Sequence, residues 1–155
     1  MARAVDRLIE RLESISDTRS LEEAMAFAEQ KVNDMGMMER IVELRFETQS
    51  DRAYGGSPWA PLASSTVRAR GGGGMMLVDT GLLRDSAISA VAGTYSIRNP
   101  VTWNASGVTE YSEYIQNGTP RMPARPFLLD PDEDELSDAD EVAVDEIAGY
   151  LMRAQ

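Results

Sequence analysis

Apolar side chains recur at every third or fourth position through the first third of this 155-residue chain, and that period constrains the fold most strongly. One stripe lies within residues 2–15 and consists of Val5, Leu8, Ile9, Leu12 and Ile15. A second stripe runs from Leu21 to Phe46. Side chains at this spacing share one face of an α-helix. The pattern therefore predicts that residues 1–50 form N-terminal amphipathic helices.

The second of these helices is predicted to be long. Ser20 is followed three residues later by Glu23, which is the spacing of a capping box, and the apolar stripe continues to about Gln49. Gly36 weakens the middle of such a helix by about 1 kcal/mol relative to alanine. The stripe is heptad-like, so it fits either a coiled-coil partner surface or a helix lying across a sheet. Because a single apolar stripe is typical of a helix that packs on the core of its own domain, the second interpretation is favoured.

Segments with strand character follow the helices. Met75–Val78 is predicted to be a short strand, and Thr80 with Gly81 is predicted to open a brief helix. Three more strand candidates are separated by turn-forming residues, and they are Ala87–Ala92, Thr94–Arg98 and Val101–Asn104. Connections this short suit antiparallel pairing, because a parallel crossover needs a dozen or more residues. The sequence therefore predicts an antiparallel β-meander.

Two helices complete the prediction. Tyr111–Gln116 is a short helix that ends at Gly118, and residues 138–153 form a final helix with an acidic first turn. The predicted fold class is α+β, with an antiparallel β-meander sheet packed against a long N-terminal helix and a C-terminal helix, joined by extended loops. Residues 51–155 form the α+β region, and the chain is predicted to be a single domain overall.

The residue types that the chain lacks limit its chemistry. It contains no cysteine and no histidine. Thiolate metal sites, disulfides and every catalytic arrangement built on imidazole are thereby excluded. We expect a protein that is not an enzyme, with no cofactor and no metal. No apolar run approaches the roughly 20 residues needed to cross a bilayer, and the N-terminus lacks the apolar core of a signal peptide.

The formal net charge is −11, and residues 130–146 contribute ten acidic side chains and no basic one. Such a surface repels nucleic-acid phosphate and anionic lipid. The charge therefore argues against sequence-specific DNA binding and is compatible with a protein that lets DNA pass without adhering.

Three weaker patterns are better explained by structural roles than by ligand binding or catalysis. Asp130, Asp132, Asp134 and Glu141 partly match a calcium-binding loop, but its obligatory glycine position holds Glu135, so an acidic linker is preferred. The glycine run at residues 71–74 lacks the lysine and hydroxyl residue of a phosphate-binding loop and is interpreted as a mobile loop. The carboxylates beside Tyr111 and Tyr114 fit a charged rim better than a glycosidase pair.

Positive charge is concentrated in the middle of the chain, at Arg68, Arg70, Arg84, Arg121 and Arg125. These arginines could contact DNA phosphate or pair with carboxylates of a neighbouring subunit. The negative net charge favours the second interpretation. Trp59 and Trp103 are interpreted as core residues, because burial of a large ring outweighs a surface ion pair.

Between about Phe46 and Leu151, a series of short elements occurs in a fixed order. They are Trp59-Ala60-Pro61-Leu62, Thr66, Arg70, Leu77-Val78-Asp79-Thr80-Gly81-Leu82, Ser86, Tyr114, Gln116-Asn117-Gly118 and Pro123-Ala124-Arg125-Pro126-Phe127-Leu128. This ordered combination resembles the virion morphogenesis, or tail-completion, family of tailed phages, whose members occur in Mu-like phages. Members often have histidine beside the glutamine-glycine element, where this chain has Ile115.

The resemblance implies a structural protein of the virion neck that is assembled in the host cytoplasm. It would complete the tail and join it to the DNA-filled head as a homo-oligomeric ring, with sixfold symmetry expected. Its partners would be copies of itself, neighbouring neck and tail-tube proteins, and passing DNA that is bound without sequence specificity; no membrane is implied.

The residues expected to contact other subunits are Arg68, Arg70, Arg84, Arg121, Arg125 and Phe127. The residues expected to anchor the fold are Trp59, Leu62, Thr80, Gly81, Leu83, Trp103, Tyr114 and Gly118. Three alternative functions stay open: a tail-terminator ring that stops tube growth, a virion-associated hydrolase, and a regulatory binding module.

Overall fold

The computed structural model describes residues 3–13, 17–61 and 81–153, and in these ranges the protein contains six α-helices. They are α1 (Ala4–Glu13), α2 (Thr18–Asp34), α3 (Met37–Thr48), α4 (Leu82–Val91), α5 (Ser112–Asn117) and α6 (Glu133–Arg153). The chain forms two compact units. The first unit comprises the chain up to Met38, residues 92–101 and the chain from Pro131, and the second comprises residues 39–91 and 102–130.

In the first unit, α1 and α2 both pack against α6. The buried side chains repeat with helical spacing, and they include Val5, Ile9, Leu21, Ala24, Ala28, Val32, Ala139, Ala143 and Ile147. Full burial of each branched aliphatic side chain contributes about 1.5–3 kcal/mol. The predicted apolar stripes of α1 and α2 are therefore confirmed as core-facing surfaces, and α1 packs against helices of its own chain.

A polar cluster lies inside this core. The Asp140 carboxylate is only 3% exposed, and it accepts hydrogen bonds from Arg3 Nε at 2.9 Å and from the Tyr95 hydroxyl at 2.7 Å. Arg3 Nη1 also donates to the Ser96 carbonyl at 2.9 Å. Burial, reinforced by the Asp140 carboxylate, raises the pKa of the Tyr95 hydroxyl, so this group remains a donor. The cluster thus fixes residues 95 and 96 against α6.

The predicted α+β fold class with an antiparallel β-meander sheet is wrong, because the described residues are mostly helical and form no sheet. The pairings found there are isolated bridges: Ser50 with Pro58, Ser106 with Thr109, and Thr119 with Met122. The segment Ala87–Ala92, predicted as a strand, instead continues α4 as far as Val91. Leu83, Ala87 and Val91 are buried four residues apart, which is a helical period and not an alternation.

The other two segments predicted as strands, Thr94–Arg98 and Val101–Asn104, form no strand, and residues 97–99 form a bend. Tyr95 and Ile97 are buried at alternate positions, as a half-buried strand requires. Their backbone N–H groups, however, donate to side chains of α2: Tyr95 to Asn33 Oδ1 at 3.0 Å and Ile97 to Glu29 Oε1 at 2.7 Å. Alternation shows which face is buried, and it does not show what satisfies the backbone. Met75–Val78 lies outside the described residues.

The predicted long helix is divided in two. α2 ends at Asp34, Gly36 has a φ of 69°, and α3 begins at Met37. Glycine enters this left-handed conformation without the steric cost of a side chain, so it ends the helix where it was expected only to weaken it. The N-cap of α2 is Asp17, which accepts from the Ser20 N–H at 3.3 Å, in place of the expected capping box.

The final helix is longer than predicted. It begins at Glu133, ahead of the expected Asp138, because Asp132 and Glu135 form a capping box. The Glu135 N–H donates to Asp132 Oδ1 at 2.8 Å, and the Asp132 N–H donates to Glu135 Oε1 at 3.1 Å. The acidic stretch interpreted as a linker is therefore the start of α6. The short helix ending before Gly118 is confirmed to within one residue.

Within residues 3–13, 17–61 and 81–153, no helix has both the length and the apolar character needed to span a bilayer.

The same part of the chain contains no group of three or more acidic side chains arranged to hold a metal ion.

Replacing Asp140 with alanine is expected to lower the free energy of unfolding by at least about 2 kcal/mol, because Arg3 and the Tyr95 hydroxyl lose their shared acceptor. Urea unfolding followed by circular dichroism measures the change. Asp145→Ala, on the exposed face of the same helix, is the control and should stay within about 0.5 kcal/mol of the unsubstituted protein. Equal effects of the two substitutions would contradict the role assigned to Asp140.

Candidate functional site

Three of the elements that carry the family resemblance, residues 59–61, 116–118 and 123–128, meet in the second unit, around an extended segment at residues 123–129, called here the extended arm. Pro123 and Pro126 cannot donate to a β-ladder, so the arm is poorly suited to a central strand position. Its backbone is held instead by side chains from α3, α5 and the residues after α3.

Arg45 of α3 binds one edge of the extended arm. It is 0% exposed, and its Nη1 donates to the Phe127 carbonyl at 3.2 Å and to the Leu129 carbonyl at 2.8 Å. Its guanidinium also lies over the Trp103 ring, 5.1 Å from the centroid. Arg45 was not among the residues predicted from the sequence. The available signal was its position four residues after Ile41, on the apolar face of the helix.

Gln116 of α5 holds the arm through its backbone N–H groups. Its Oε1 accepts from the N–H of Phe127 at 2.9 Å and from that of Leu128 at 3.0 Å. The Arg125 N–H donates to the Ile115 carbonyl at 2.8 Å. One turn of α5 thus supplies the acceptors that a neighbouring strand would otherwise supply, which explains why a glutamine stands in this element.

The residues after α3 make the remaining contacts. The Trp59 Nε1–H donates to the Pro126 carbonyl at 2.7 Å, and its ring meets Phe46 edge-on at a centroid distance of 5.3 Å. In return, Arg125 Nε donates to the Ala60 carbonyl at 2.9 Å and its Nη2 donates to the Pro61 carbonyl at 3.1 Å. The Trp-Ala-Pro and Pro-Ala-Arg-Pro elements therefore bind each other directly.

Gly118 allows the chain to turn from α5 into the arm. Its φ is 77° and its ψ is 172°, a region that only glycine adopts readily. A Cβ at this position would lie 2.7 Å from the Ala124 backbone nitrogen. Both its conformation and its surroundings therefore require glycine.

Two of the predicted subunit-contact residues lie in the interior. Arg125 is 7% exposed and Phe127 is 0% exposed, and both are bonded within the chain. Both residues had been expected to project from the surface. They instead face the interior and help to hold the arm. Arg84 is partly exposed and pairs with Asp85 at 3.3 Å, whereas Arg121 is exposed. Arg68 and Arg70 lie outside the described residues.

The predicted fold anchors have different environments. Trp59 and Leu83 are buried, and Trp103 is partly buried. Gly81 has a φ of 75°, and its carbonyl accepts from the Asp85 N–H at 2.9 Å at the start of α4. Tyr114, by contrast, is 61% exposed. Leu62 and Thr80 lie outside the described residues.

Two exposed tyrosines lie at the N-terminal end of α5. Tyr111, the N-cap residue, is 50% exposed, and Tyr114, within the helix, is 61% exposed. Arg121 follows in the Thr119–Met122 turn. Tyrosine and arginine are among the residue types most enriched at the energetic centres of protein interfaces. The surface formed by Tyr111, Tyr114 and Arg121, called here the tyrosine surface, is suited to binding a protein.

The two units differ in charge. By sequence, the first unit contains seventeen acidic and seven basic residues, and the second contains nine and eight. Almost all of the net charge of −11 therefore belongs to the first unit. Glu110 and Glu113, the acids considered for hydrolysis, are exposed, whereas a catalytic acid needs burial to raise its pKa.

Comparison of the chain with protein-family models, with curated proteins and with solved structures gives no match. The family resemblance therefore rests on the ordered residues of the chain itself.

Replacing Arg125 with alanine is expected to lower the free energy of unfolding by about 2 kcal/mol, because the buried guanidinium holds two carbonyl groups. Arg121→Ala is the matched control and should change stability by less than about 0.5 kcal/mol. Chemical denaturation with Trp fluorescence is the measurement. If Arg121→Ala lowers the free energy of unfolding as much as Arg125→Ala does, Arg125 does not hold the arm as described.

A comparison of Gly118→Ala with Gly107→Ala distinguishes the stability lost to backbone strain from the stability lost to steric overlap. Both glycines have a positive φ, 77° and 82°, but only Gly118 of the two has a neighbour within 4 Å of where a Cβ would lie. Strain alone costs about 1–3 kcal/mol at either position. Thermal unfolding should show the larger loss for Gly118→Ala; a larger loss for Gly107→Ala would contradict the close approach of Ala124.

Proposed function

We propose that this chain is a structural protein of the tailed-phage neck, which completes the tail and joins it to the DNA-filled head as a homo-oligomeric ring. One observation carries the proposal: three of the separate elements of the resemblance bind one another. Trp59 and Arg125 exchange hydrogen bonds with each other's backbone segments, and Gln116 holds the same arm. Their joint occurrence is thereby explained as one structural unit and not as unrelated similarities.

The proposed role requires a rigid surface. A subunit in a closed ring presents different surfaces to its two neighbours, and small errors in their angle would prevent closure. The extended arm is fixed by side chains along its backbone, and α5, which carries Tyr114, supplies two of these hydrogen bonds through Gln116. We assign subunit contact to Tyr111, Tyr114 and Arg121, in place of the buried Arg125 and Phe127.

The acidic first unit suits contact with a DNA channel. Carboxylates repel the phosphate backbone, so DNA leaves such a surface without adhering. In the proposed ring, first units would face the lumen. Arg121 of each subunit would meet a carboxylate of its neighbour, an interaction that directs assembly more than it adds affinity.

The proposal is tested by deleting the gene for this chain from the phage genome that carries it and imaging the particles by electron microscopy. DNA-filled heads and unattached tails of normal length are expected. Wild-type protein should restore joined particles. Arg121→Glu should fold and yet fail to restore them, whereas Glu110→Gln, an exposed change beside the same surface, should restore them.

Overlong tails in the deletion would instead assign a tail-terminator role. Joined, infectious particles without the gene product, or complete rescue by Arg121→Glu together with a monomeric purified protein, would contradict the proposal.

A further inference from the structure

A second feature of the second unit is a cavity beside α5, between that helix and the extended residues 103–106. Its volume is about 410 Å³. Small-molecule sites in proteins commonly measure about 300–1,000 Å³. Its polar and aromatic lining consists of Trp103, Asn104, Ser106, Glu113, Gln116 and Asn117. The proposed neck function makes no use of this cavity.

The orientation of the Gln116 amide in the cavity wall is fixed. Because its oxygen accepts two backbone N–H groups of the arm, its –NH₂ group must be directed elsewhere. That nitrogen forms no hydrogen bond within the described ranges, and it is not among their buried atoms that lack a partner. It is therefore an accessible donor on a side chain that lines the cavity.

Asn104 provides a second oriented amide. Its Oδ1 accepts from the Ser106 N–H at 2.9 Å, which leaves its –NH₂ as a donor. Glu113 supplies an acceptor in the same lining, and its Oε2 is 3.5 Å from the Ser106 hydroxyl. Glu113, Gln116 and Asn117 share one face of α5 because they are spaced three and four residues apart.

The lining selects among ligand classes. Glu113 opposes an anion, and the two amide donors oppose a cation. An apolar ligand would leave these polar groups without partners, which is costly. A neutral molecule with several hydroxyl groups can accept from the amides, donate to Glu113 and place its C–H face on the indole of Trp103. We propose that the cavity binds a neutral saccharide of one or two rings.

The test uses the full chain with side-chain amides labelled for NMR. The probes are glucose, galactose, N-acetylglucosamine, maltose and lactose, added separately to millimolar concentration. At least one is expected to shift the Gln116 and Asn104 –NH₂ resonances in a saturable manner. Gln116 itself is left unchanged, since it also supports the arm.

Matched variants locate the site. Glu113→Ala and Asn117→Ala should each weaken saccharide binding by about tenfold, a loss of about 1.4 kcal/mol. Both side chains are exposed, so the variants should fold. Glu110→Ala, which removes an exposed acid that does not line the cavity, should leave affinity unchanged.

Two results would overturn the assignment. One is the absence of any saturable shift with all five sugars. The other is a shift produced by N-acetylarginine amide alone, which would make the cavity a socket for a partner's guanidinium group.

Discussion

Side chains that bind extended backbone take the place of a β-sheet in this protein. In the second unit, Arg45 binds carbonyl groups of the extended arm and Gln116 binds its N–H groups. In the first unit, Asn33 and Glu29 bind the N–H groups of Tyr95 and Ile97. Buried backbone groups need partners, and an amide or guanidinium group can supply two at once. The placement of both extended segments depends on these few side chains.

This arrangement explains which parts of the fold could be predicted from sequence. The helices α1 and α5 follow local rules of apolar spacing and glycine termination, and they were predicted, whereas α2 and α3 were predicted as one helix that continues through Gly36. The sheet was predicted wrongly because Tyr95 and Ile97 alternate as in a strand, while their hydrogen-bond partners lie more than sixty positions away in α2. The period of a short segment contains no information about such distant partners. Ala87 and Val91 show the second cause, since a helical repeat is easily mistaken for a strand in so short an apolar run.

The sequence identified the short elements that carry the resemblance, but it did not show what each of them contacts in the fold. Arg125 of the Pro-Ala-Arg-Pro sequence was expected to contact another subunit, yet its side chain donates to the Ala60 and Pro61 carbonyls of its own chain. A surface position and an interior position are equally compatible with an arginine between prolines. Arg45 was overlooked because a basic residue in a helix is usually solvated. The proposed subunit contact is therefore assigned to the tyrosine surface and not to Arg125.

The central claim, that Gln116 replaces a neighbouring strand, can be tested by NMR couplings transmitted across hydrogen bonds. The backbone nitrogens of Phe127 and Leu128 should both couple to the side-chain carbonyl carbon of Gln116. Coupling of these nitrogens to backbone carbonyl carbons in a regular ladder, with none to Gln116, would show that the arm belongs to a β-sheet and would contradict this account.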